Sequence, residues 1–289
     1  MAQRPFRSVL YIPGSKARAL EKAKTLPVDA IIFDLEDAVA LSEKANARAL
    51  LAETLAEGGY GPRAQIVRIN GMDTEWGEDD LATIAAIGPE AILLPKVNSA
   101  ADILALAARL DTIPEAVQTR IWAMMETPQG VLNAAEIARA PRMAGMVMGT
   151  NDLAKDLGTR STPDRAPLLA ALGQCILAAR AAGIVIVDGV YNAFKDENGL
   201  RAECEQGRDF GFDGKTLIHP AQVAITNAAF APTEAEIDLA TRQIAAFEEA
   251  LAAGQGVAVV DGRIVENLHI ETARATLAKV QAIYALEAP

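Results

Sequence analysis

Short apolar runs that alternate with helix-like segments are the feature that most restricts what this chain can fold into. The segments between the runs are rich in Ala and Leu and carry charges on one side, which is typical of a strand–helix repeat. Repeats of this kind form right-handed βαβ units and a parallel sheet. Eight of them predict a closed (β/α)8 TIM barrel. The eight runs cover residues 8–12, 30–35, 65–69, 91–94, 121–125, 145–148, 184–187 and 214–218.

The composition agrees with a barrel of buried parallel strands. Hydrophobic residues make up 51% of the chain and aromatic residues only 4%, so Ala, Val, Ile and Leu must build the core. Aliphatic residues of this kind are the usual material of parallel strands covered by helices. No GxGxxG turn follows the first run, which argues against an open dinucleotide-binding sheet.

The pattern changes after residue 231. Thr233 can cap a helix and Glu236 stands three residues later, so a helix should begin here. Two short apolar runs joined by an Asp-Gly pair at 261–262 then predict a hairpin, and a last helix should cover residues 268–286. The sequence therefore predicts a TIM barrel domain over 1–231 and a helix–hairpin–helix extension over 232–289. The extension is too short to hold its own core, so it must pack on the barrel or on a neighbouring subunit.

Charge and cysteine usage exclude several classes of protein. A formal net charge of -11 argues against a general binder of nucleic acid or of membrane surfaces, because both are polyanionic. Cys175 and Cys204 show no CxxC spacing, so we expect neither a disulfide framework nor a zinc site, and a cytoplasmic location fits. The chain shows no signal-peptide pattern and no apolar stretch of about 20 residues, so we expect no membrane span.

Two acids follow apolar runs. Glu126 stands directly after the fifth run, and Asp152 stands a few residues after the sixth. The carboxyl ends of barrel strands form the rim where chemistry occurs. Two carboxylates there are suitable ligands for Mg²⁺, which keeps several waters and takes its other ligands from substrate. Helix capping is the alternative role for each acid taken singly. The other polar residues at the rim favour a metal site.

Asp34, Glu36 and Asp37 stand at the end of the second run. Three acids in four residues repel one another unless cations neutralise them. Strand alternation sends Asp34 and Glu36 to one side and Leu35 to the other. We expect these carboxylates to hold metal-bound waters and to orient the metal ligands. The alternative, a cap for the helix near Ser42, would need only one acid.

Two cations end the next two runs. Arg68 is costly inside a strand unless it faces an anion. It can pair with the Asp34–Asp37 group, bind a substrate carboxylate in bidentate fashion, or do both. Lys96 ends the fourth run, and a Schiff-base role would require a depressed pKa. With so many carboxylates nearby, a structural ion pair is the better interpretation of Lys96.

Six short motifs lie at or near the ends of the apolar runs: RSVLYIPGS at 7–15, FDLEDAV at 33–39, VRIN at 67–70, LPK at 94–96, ETP at 126–128 and GTNDL at 149–153. Together these motifs resemble those of the citrate lyase β-subunit-like CoA-ester lyases of the HpcH/HpaI aldolase superfamily. The resemblance covers essentially the whole chain, and residues 186–192, 201–207 and 217–220 are most similar to the malyl-CoA thioesterase branch.

This resemblance implies a Mg²⁺-dependent barrel with Glu126 and Asp152 as metal ligands. Arg68 would bind the carboxylate or carbonyl end of a glyoxylate-like or malyl group, and Glu36 and Asp37 would hold the waters of the metal. The pyruvate-aldolase branch carries a histidine base near Asp37, and its absence here argues against that branch.

The resemblance also implies a homotrimer or homohexamer in which the C-terminal segment of one subunit covers the active site of the next. Lys16 and Arg18 are candidates for binding coenzyme A, although both could simply lie on a solvated helix face. His219 occupies a rim position that could contact the substrate or the CoA chain. His269, at the start of the last helix, is interpreted as structural.

One residue departs from the pattern of these lyases. They usually carry an Asp in the C-terminal hairpin as the acid/base for the acetyl-CoA carbon, whereas this chain has Glu266. The extra methylene moves the carboxylate, and such a displacement can reduce a rate on the order of a hundredfold. The change puts carbon–carbon cleavage in doubt and leaves room for a base that activates water. An exposed hairpin carboxylate without a catalytic role is the alternative for Glu266.

The leading hypothesis is therefore a Mg²⁺-dependent enzyme that hydrolyses (3S)-malyl-CoA to malate and CoA, with Glu266, Asp37 and Arg68 as candidate catalytic residues. The alternatives are a lyase that cleaves malyl-CoA or citramalyl-CoA to a 2-oxo acid and an acyl-CoA, or a subunit that acts on an acyl carrier in a lyase complex. A catalytically weak CoA-binding or keto-acid-binding protein is disfavoured by the intact set of rim acids.

Overall fold

A computed structural model describes residues 4–287 of the chain. Eight parallel strands follow one another around a closed barrel in the order β1 to β8. Each strand lies within two residues of its predicted run, so the prediction of a (β/α)8 barrel is confirmed. The strands are β1 (Ser8–Pro13), β2 (Ala30–Asp34), β3 (Ala64–Arg68), β4 (Ala91–Leu94), β5 (Arg120–Met125), β6 (Met143–Met148), β7 (Val185–Asp188) and β8 (Gly214–Leu217).

Helices follow the strands, and the loops between strand ends and helices form the rim of the barrel. In the loop after β7, no α-helix begins until α9 at Glu197. The barrel helices are α1 (Ala17–Ala23), α2 (Lys44–Glu57), α3 (Gly77–Ala85), α4 (Ala100–Leu110), α5 (Pro128–Leu132), α6 (Ala134–Ala138), α7 (Thr150–Asp156), α8 (Leu169–Ala182), α9 (Glu197–Phe210) and α10 (Val223–Phe230).

Side chains of each strand alternate between the barrel interior and the layer beneath the helices. One buried cluster takes alternate residues from the strands, such as Ile32, Ile66 and Met124, and fills the interior. A larger cluster takes the intervening residues, such as Phe33 and Val67, and packs under the helices. Because strand side chains have a period of two, the residues that follow the interior ones by two positions must also face inward. This alternation places Asp34, Arg68 and Glu126 at the upper end of the interior.

A buried ion cluster lies beside β7 and β8. Asp188 accepts two hydrogen bonds from Nη1 of Arg165, at 2.8 and 2.7 Å. Nζ of Lys215 lies 3.2 Å from Asp188 Oδ2 and donates to Glu203 Oε1 at 2.6 Å. The side chains of Asp188 and Lys215 are both fully buried. Two cations and two carboxylates therefore balance one another between the barrel and α9.

The C-terminal unit, which begins at Ala231, consists of α11 (Glu234–Ala252), β9 (Ala258–Val260), β10 (Arg263–Val265) and α12 (Asn267–Glu287). This order agrees with the predicted helix–hairpin–helix extension. The predicted cap is present, because Thr233 Oγ1 accepts from Glu236 N and Glu236 Oε2 accepts from Thr233 N. Asp261 and Gly262 have φ of 49° and 73°, the left-handed values that a tight hairpin turn requires. A small cluster that includes Phe247 and Val265 is buried inside this unit.

No helix within residues 4–287 combines the length and the apolar character needed to cross a membrane.

Replacing Lys215 by Met should destabilise the barrel by about 3–5 kcal/mol, because it leaves the buried Asp188 and the partly buried Glu203 with only one cation. Chemical unfolding at neutral pH would measure the change in free energy. Arg109→Gln is the matched control, since it removes a cation from a pair with Glu78 whose side chains are 53% and 51% exposed. Such a surface pair contributes at most about 1 kcal/mol. Equal effects of the two substitutions would contradict the role given to the buried cluster.

Candidate active site

A cavity of about 290 Å³ opens among the loops at the carboxyl ends of the barrel strands. Its lining combines acids, a guanidinium, amides and a few apolar side chains. Of the residues singled out from the sequence, the cavity brings together Asp34, Asp37, Arg68, Glu126 and Asp152. These residues lie at or after the ends of β2, β3, β5 and β6, so the predicted rim cluster is indeed one site in space.

The pair formed by Asp34 and Arg68 is the central contact of this site. Arg68 Nε donates to Asp34 Oδ1 at 2.7 Å, and Nη2 donates to Asp34 Oδ2 at 2.6 Å. Both side chains are almost completely buried. Asp34 also accepts from the backbone N–H groups of Glu36 and Ala38, which folds the loop after β2 back over the strand end.

Arg68 also contacts the other two acids of the loop. Its Nη1 lies 2.7 Å from Glu36 Oε2, out of line for a hydrogen bond, and donates to Asp37 Oδ2 at 3.4 Å. Glu36 is buried, whereas the Asp37 side chain is 67% exposed. Burial raises the pKa of Glu36 to about 7, although the charge of Arg68 opposes this shift. After these bonds each terminal nitrogen of Arg68 still carries one hydrogen. The binding of a substrate carboxylate by Arg68 stays a prediction.

Glu126 enters the cavity from the end of β5 and is 1% exposed. Its Oε1 accepts a hydrogen bond of 2.7 Å from the backbone N–H of Lys96. The pKa of Glu126 is raised to about 7. Burial is the main cause and the charge of Asp152 adds to it, whereas the Lys96 N–H and the charge of Arg68 act in the opposite direction. A buried carboxylate whose proton affinity is raised by a second carboxylate forms with it a site suited to a cation.

The structure corrects the expected role of Lys96. Its side chain is exposed and, within residues 4–287, its ammonium forms no ion pair. The contact with the acids is made by the backbone instead. Lys96 has a φ of 52°, a left-handed value that is uncommon for a non-glycine residue. Strained residues of this kind are often retained at functional sites, and this one places an N–H against Glu126.

Gly149 provides the space that the Glu126 carboxylate occupies. A Cβ atom at position 149 would lie 2.6 Å from Glu126 Oε2. Gly149 precedes α7, and Asp152 stands in the first turn of that helix beside the cavity. The small residue therefore allows β5 and β6 to bring their two acids to one wall.

The donor set of this wall fits a hard divalent cation. Arg68 forms ion pairs with Asp34 and Asp37. Among the described residues, Glu126 and Asp152 are therefore the cavity acids without a cationic partner. No group of three metal-binding side chains converges in the described part of the chain. A cation here would take its remaining ligands from water and substrate, which is how proteins usually hold Mg²⁺.

A buried lysine that the sequence did not reveal supports the acidic loop. Lys44, the first residue of α2, donates to the carbonyl oxygens of Leu35 and Glu36 at 2.9 and 2.7 Å. It also donates to Asn70 Oδ1 at 2.7 Å, and Asn70 in turn donates to Asp80 Oδ2 at 2.6 Å. Lys44 therefore fixes the backbone of the loop that carries Glu36 and Asp37.

The residues predicted to bind CoA lie outside the cavity lining. Lys16, Arg18 and His219 are all exposed. His219 Nδ1 accepts from the backbone N–H of Ala221 at 3.1 Å, and its ring stacks on Phe194 with centroids 4.6 Å apart. Their role in CoA binding stays a prediction.

Glu266 belongs to the C-terminal unit, where its side chain is exposed. Its backbone N–H donates to His269 Nδ1 at 3.1 Å, so His269 caps the start of α12. This contact agrees with the structural interpretation of His269. The catalytic role of Glu266 stays a prediction.

Comparison with known proteins identifies the family. The HpcH/HpaI aldolase/citrate lyase family matches residues 7–220. The chain belongs to this family. It is 69% identical over 284 residues to a (3S)-malyl-CoA thioesterase of Cereibacter sphaeroides, in a match that covers 98% of both chains. It is 36% identical over 281 residues to the citrate lyase subunit beta of Escherichia coli, covering 95% of this chain and 93% of the other.

A solved structure of a family member supports the same assignment. Protein CitE from Mycobacterium tuberculosis, in complex with magnesium, acetoacetate and coenzyme A, matches with a TM-score of 0.80 and 29% identity. The match covers 97% of this chain and 99% of that one. The family resemblance predicted from the motifs is therefore confirmed.

Gly149→Ala should displace the Glu126 carboxylate and destabilise the protein by about 1–3 kcal/mol through overpacking. It should also weaken the binding of divalent cations. Chemical unfolding and calorimetric titration with Mg²⁺ would measure the two effects. Gly173→Ala in α8 is the control, because its added Cβ meets no atom within 4 Å. There a helix-interior alanine should stabilise the fold by roughly 0.5–1 kcal/mol. Unchanged Mg²⁺ affinity in Gly149→Ala would contradict the place given to Glu126 in a cation site.

Proposed function

We propose that this chain is a Mg²⁺-dependent enzyme that hydrolyses (3S)-malyl-CoA to malate and CoA. The observation that carries the proposal is the high identity, over nearly the full length of both chains, to the Cereibacter sphaeroides thioesterase. The cavity chemistry supports it, since an acidic wall and a guanidinium meet in one pocket. The magnesium and coenzyme A bound by the Mycobacterium tuberculosis relative support the cofactor and the substrate class.

Different residues of the cavity would bind the cation, its waters and the substrate. Glu126 and Asp152 would hold the cation, and Glu36 and Asp37 would orient its waters. Asp34 would act by fixing Arg68, and the Lys96 backbone would support Glu126. When bound, the cation supplies Lewis-acid polarisation and orients the substrate's hydroxyl and carboxylate. Arg68 would bind the free carboxylate with its remaining hydrogens. A cavity of about 290 Å³ suits a malyl group, so most of the CoA must lie outside it.

Hydrolysis needs a base for the attacking water. We assign this role to Glu266, with Asp37 as the exposed cavity acid that can position the water. Glu266 takes a proton from water as the water oxygen bonds to the thioester carbon. The carbon–sulfur bond then breaks, and the proton passes to the departing thiolate, so that malate and free CoA result. This assignment places Glu266 at the site of a neighbouring subunit in a homotrimer or homohexamer.

The exposed surface of the hairpin supports this assembly. Val259 and Ile264, which are register partners in the hairpin, are 65% and 61% exposed in the chain, although both are apolar. Apolar side chains presented together in this way are typical of an interface. The basic residues Lys16 and Arg18, together with His219, are proposed to bind the CoA chain. A cytoplasmic location is part of the proposal and is supported by two buried, unpaired cysteines.

A second candidate is a lyase that breaks the carbon–carbon bond of malyl-CoA or citramalyl-CoA, alone or as an acyl-carrier-dependent subunit. Its support is the similarity to citrate lyase subunit beta. Both reactions would use the same acids and Arg68. They differ in whether the hairpin carboxylate takes a proton from water or transfers a proton to or from the acyl carbon. Measuring free thiol and glyoxylate together, with purified protein and malyl-CoA, separates them: thiol without glyoxylate indicates hydrolysis.

Glu126→Gln and Asp152→Asn should each abolish Mg²⁺-dependent thiol release, because each removes one charge from the proposed metal site. Both variants should remain folded, since the introduced glutamine keeps an amide oxygen as the acceptor for the Lys96 N–H. Asp156→Asn, later in α7 and exposed, is the control and should keep wild-type activity. Full activity in either cavity variant would eliminate that carboxylate as a metal ligand.

Glu266→Ala should reduce turnover about 100-fold or more, as expected for loss of a general base. Mg²⁺ affinity should stay close to that of the wild type. Glu249→Ala, another exposed acid of the C-terminal unit, should leave both unchanged. Parallel loss of turnover and of Mg²⁺ affinity in Glu266→Ala would assign Glu266 a structural role instead.

A further inference from the structure

The cavity has an acidic side and an uncharged side. Its acids come from the ends of β2, β5 and β6, whereas the lining from β7 and β8 consists of Val190, Asn192, Thr216 and Ile218. β7 and β8 are neighbours in the closed sheet, so these four side chains form one continuous wall. A buried charge without a partner is costly, and a thioester carries no charge. The anionic end of the substrate should therefore face Arg68 and the cation that the acids would hold, and its thioester should face the wall from β7 and β8.

The first part of the loop after β7, residues 189–192, is held firmly at both ends. At its start, Arg165 binds the Asp188 carboxylate, and Lys215 Nζ donates to the carbonyl oxygen of Gly189 at 2.6 Å. At its far end, Gln222 Nε2 donates to the carbonyl oxygen of Tyr191 at 2.8 Å. Binding groups on a backbone fixed in this way need little reorganisation when the substrate arrives.

This loop ends on an amide pair at the cavity. Asn192 Nδ2 donates to Asn151 Oδ1 at 2.8 Å, and Asn151 Nδ2 donates weakly in return at 3.4 Å. Both asparagines line the cavity, and Asn151 is the neighbour of Asp152. Because an amide nitrogen carries two hydrogens, Asn192 Nδ2 keeps one donor after this bond. The proposed hydrolysis does not otherwise use that donor.

We propose that the loop from Asp188 to Asn192 is the binding subsite for the thioester carbonyl, and that Asn192 Nδ2 donates a hydrogen bond to its oxygen. The inference rests on the proposed function. A neutral donor suits this task, because it binds an uncharged carbonyl and stabilises the negative charge that develops on the oxygen when water adds. Asn151 holds the Asn192 amide in place and links it to the helix that carries Asp152.

The surface beyond Asn192 provides a path for the rest of the CoA chain. Phe194 is 39% exposed and stacks on His219, while Ile218 is 41% exposed at the cavity wall. Nζ of Lys195 lies 5.8 Å from the Phe194 ring centroid. This surface presents apolar and aromatic side chains first and a cation after them. The CoA chain has the matching order, because its pantetheine portion is followed by phosphates. The thioester and the chain attached to it could therefore both bind on this side of the barrel.

The test compares malyl-CoA with glycolate, which has the hydroxyl and carboxylate of the acyl group but no thioester. Asn192→Ala should lower kcat/KM for thiol release about 10- to 100-fold, within the range measured for lost oxyanion donors and neutral hydrogen bonds. The inhibition constant of glycolate in the presence of Mg²⁺ should change less than about twofold, because no hydrogen bond to glycolate is lost. Asn192→Asp keeps the shape, removes the donor and adds a charge, so its loss should be at least as large.

Asn46→Ala, an exposed asparagine on α2, is the control and should behave as wild type. Wild-type kcat/KM in Asn192→Ala or Asn192→Asp would overturn the subsite while leaving the proposed function intact. An equal loss of glycolate binding would also overturn it, because Asn192 would then act by placing Asp152. Absence of thiol release in the wild-type protein would instead overturn the proposed function and the subsite with it.

Discussion

The arrangement of this active site depends on the ion pair between Asp34 and Arg68. The two residues are register partners at the ends of neighbouring strands, so backbone pairing alone brings their side chains together inside the barrel. Three acids in one short loop would otherwise repel one another and open towards solvent. A buried ion pair contributes little to stability compared with apolar packing, and its value lies in specifying one arrangement. Here it folds the loop after β2 over the strand ends and closes that side of the cavity.

The same pair determines where negative charge remains. Arg68 neutralises Asp34 and contacts Glu36, whereas Glu126 and Asp152 lie at the cavity wall, where a backbone N–H binds Glu126 and each acid faces the charge of the other. A divalent cation relieves this repulsion better than a proton does, because it neutralises both carboxylates at once. The proposed metal site would thus follow from how the other acids are already paired. Arg68 would then bind a substrate carboxylate next to that cation, as proposed above.

The strands and the rim acids could be predicted because barrel strands are buried on both faces. Their apolar runs are nearly continuous, so an acid such as Glu126 marks the strand end clearly. Lys44 and Arg165 could not be found in this way. A lysine at the start of a helix normally lies in solvent, and the burial of Lys44 depends on Asn70, which is 26 residues away in sequence. Charge alone predicts an ion pair for Lys96, and nothing in its sequence context indicates the left-handed backbone that turns its N–H towards Glu126.

In the proposed mechanism both reactions use the same cation and the same guanidinium, so the acidic side of the cavity would not decide between hydrolysis and carbon–carbon cleavage. It must lie in what surrounds the thioester. A carbonyl held firmly by a hydrogen-bond donor becomes a better electrophile for water, and polarising it also stabilises the enolate that a lyase would form. Under the proposed assignment, the deciding group is the carboxylate that removes or delivers the proton. The side chain of Glu266 is one methylene longer than that of an aspartate, and in the proposed assembly this length would carry its oxygens to a water at the carbonyl carbon instead of to the neighbouring acyl carbon.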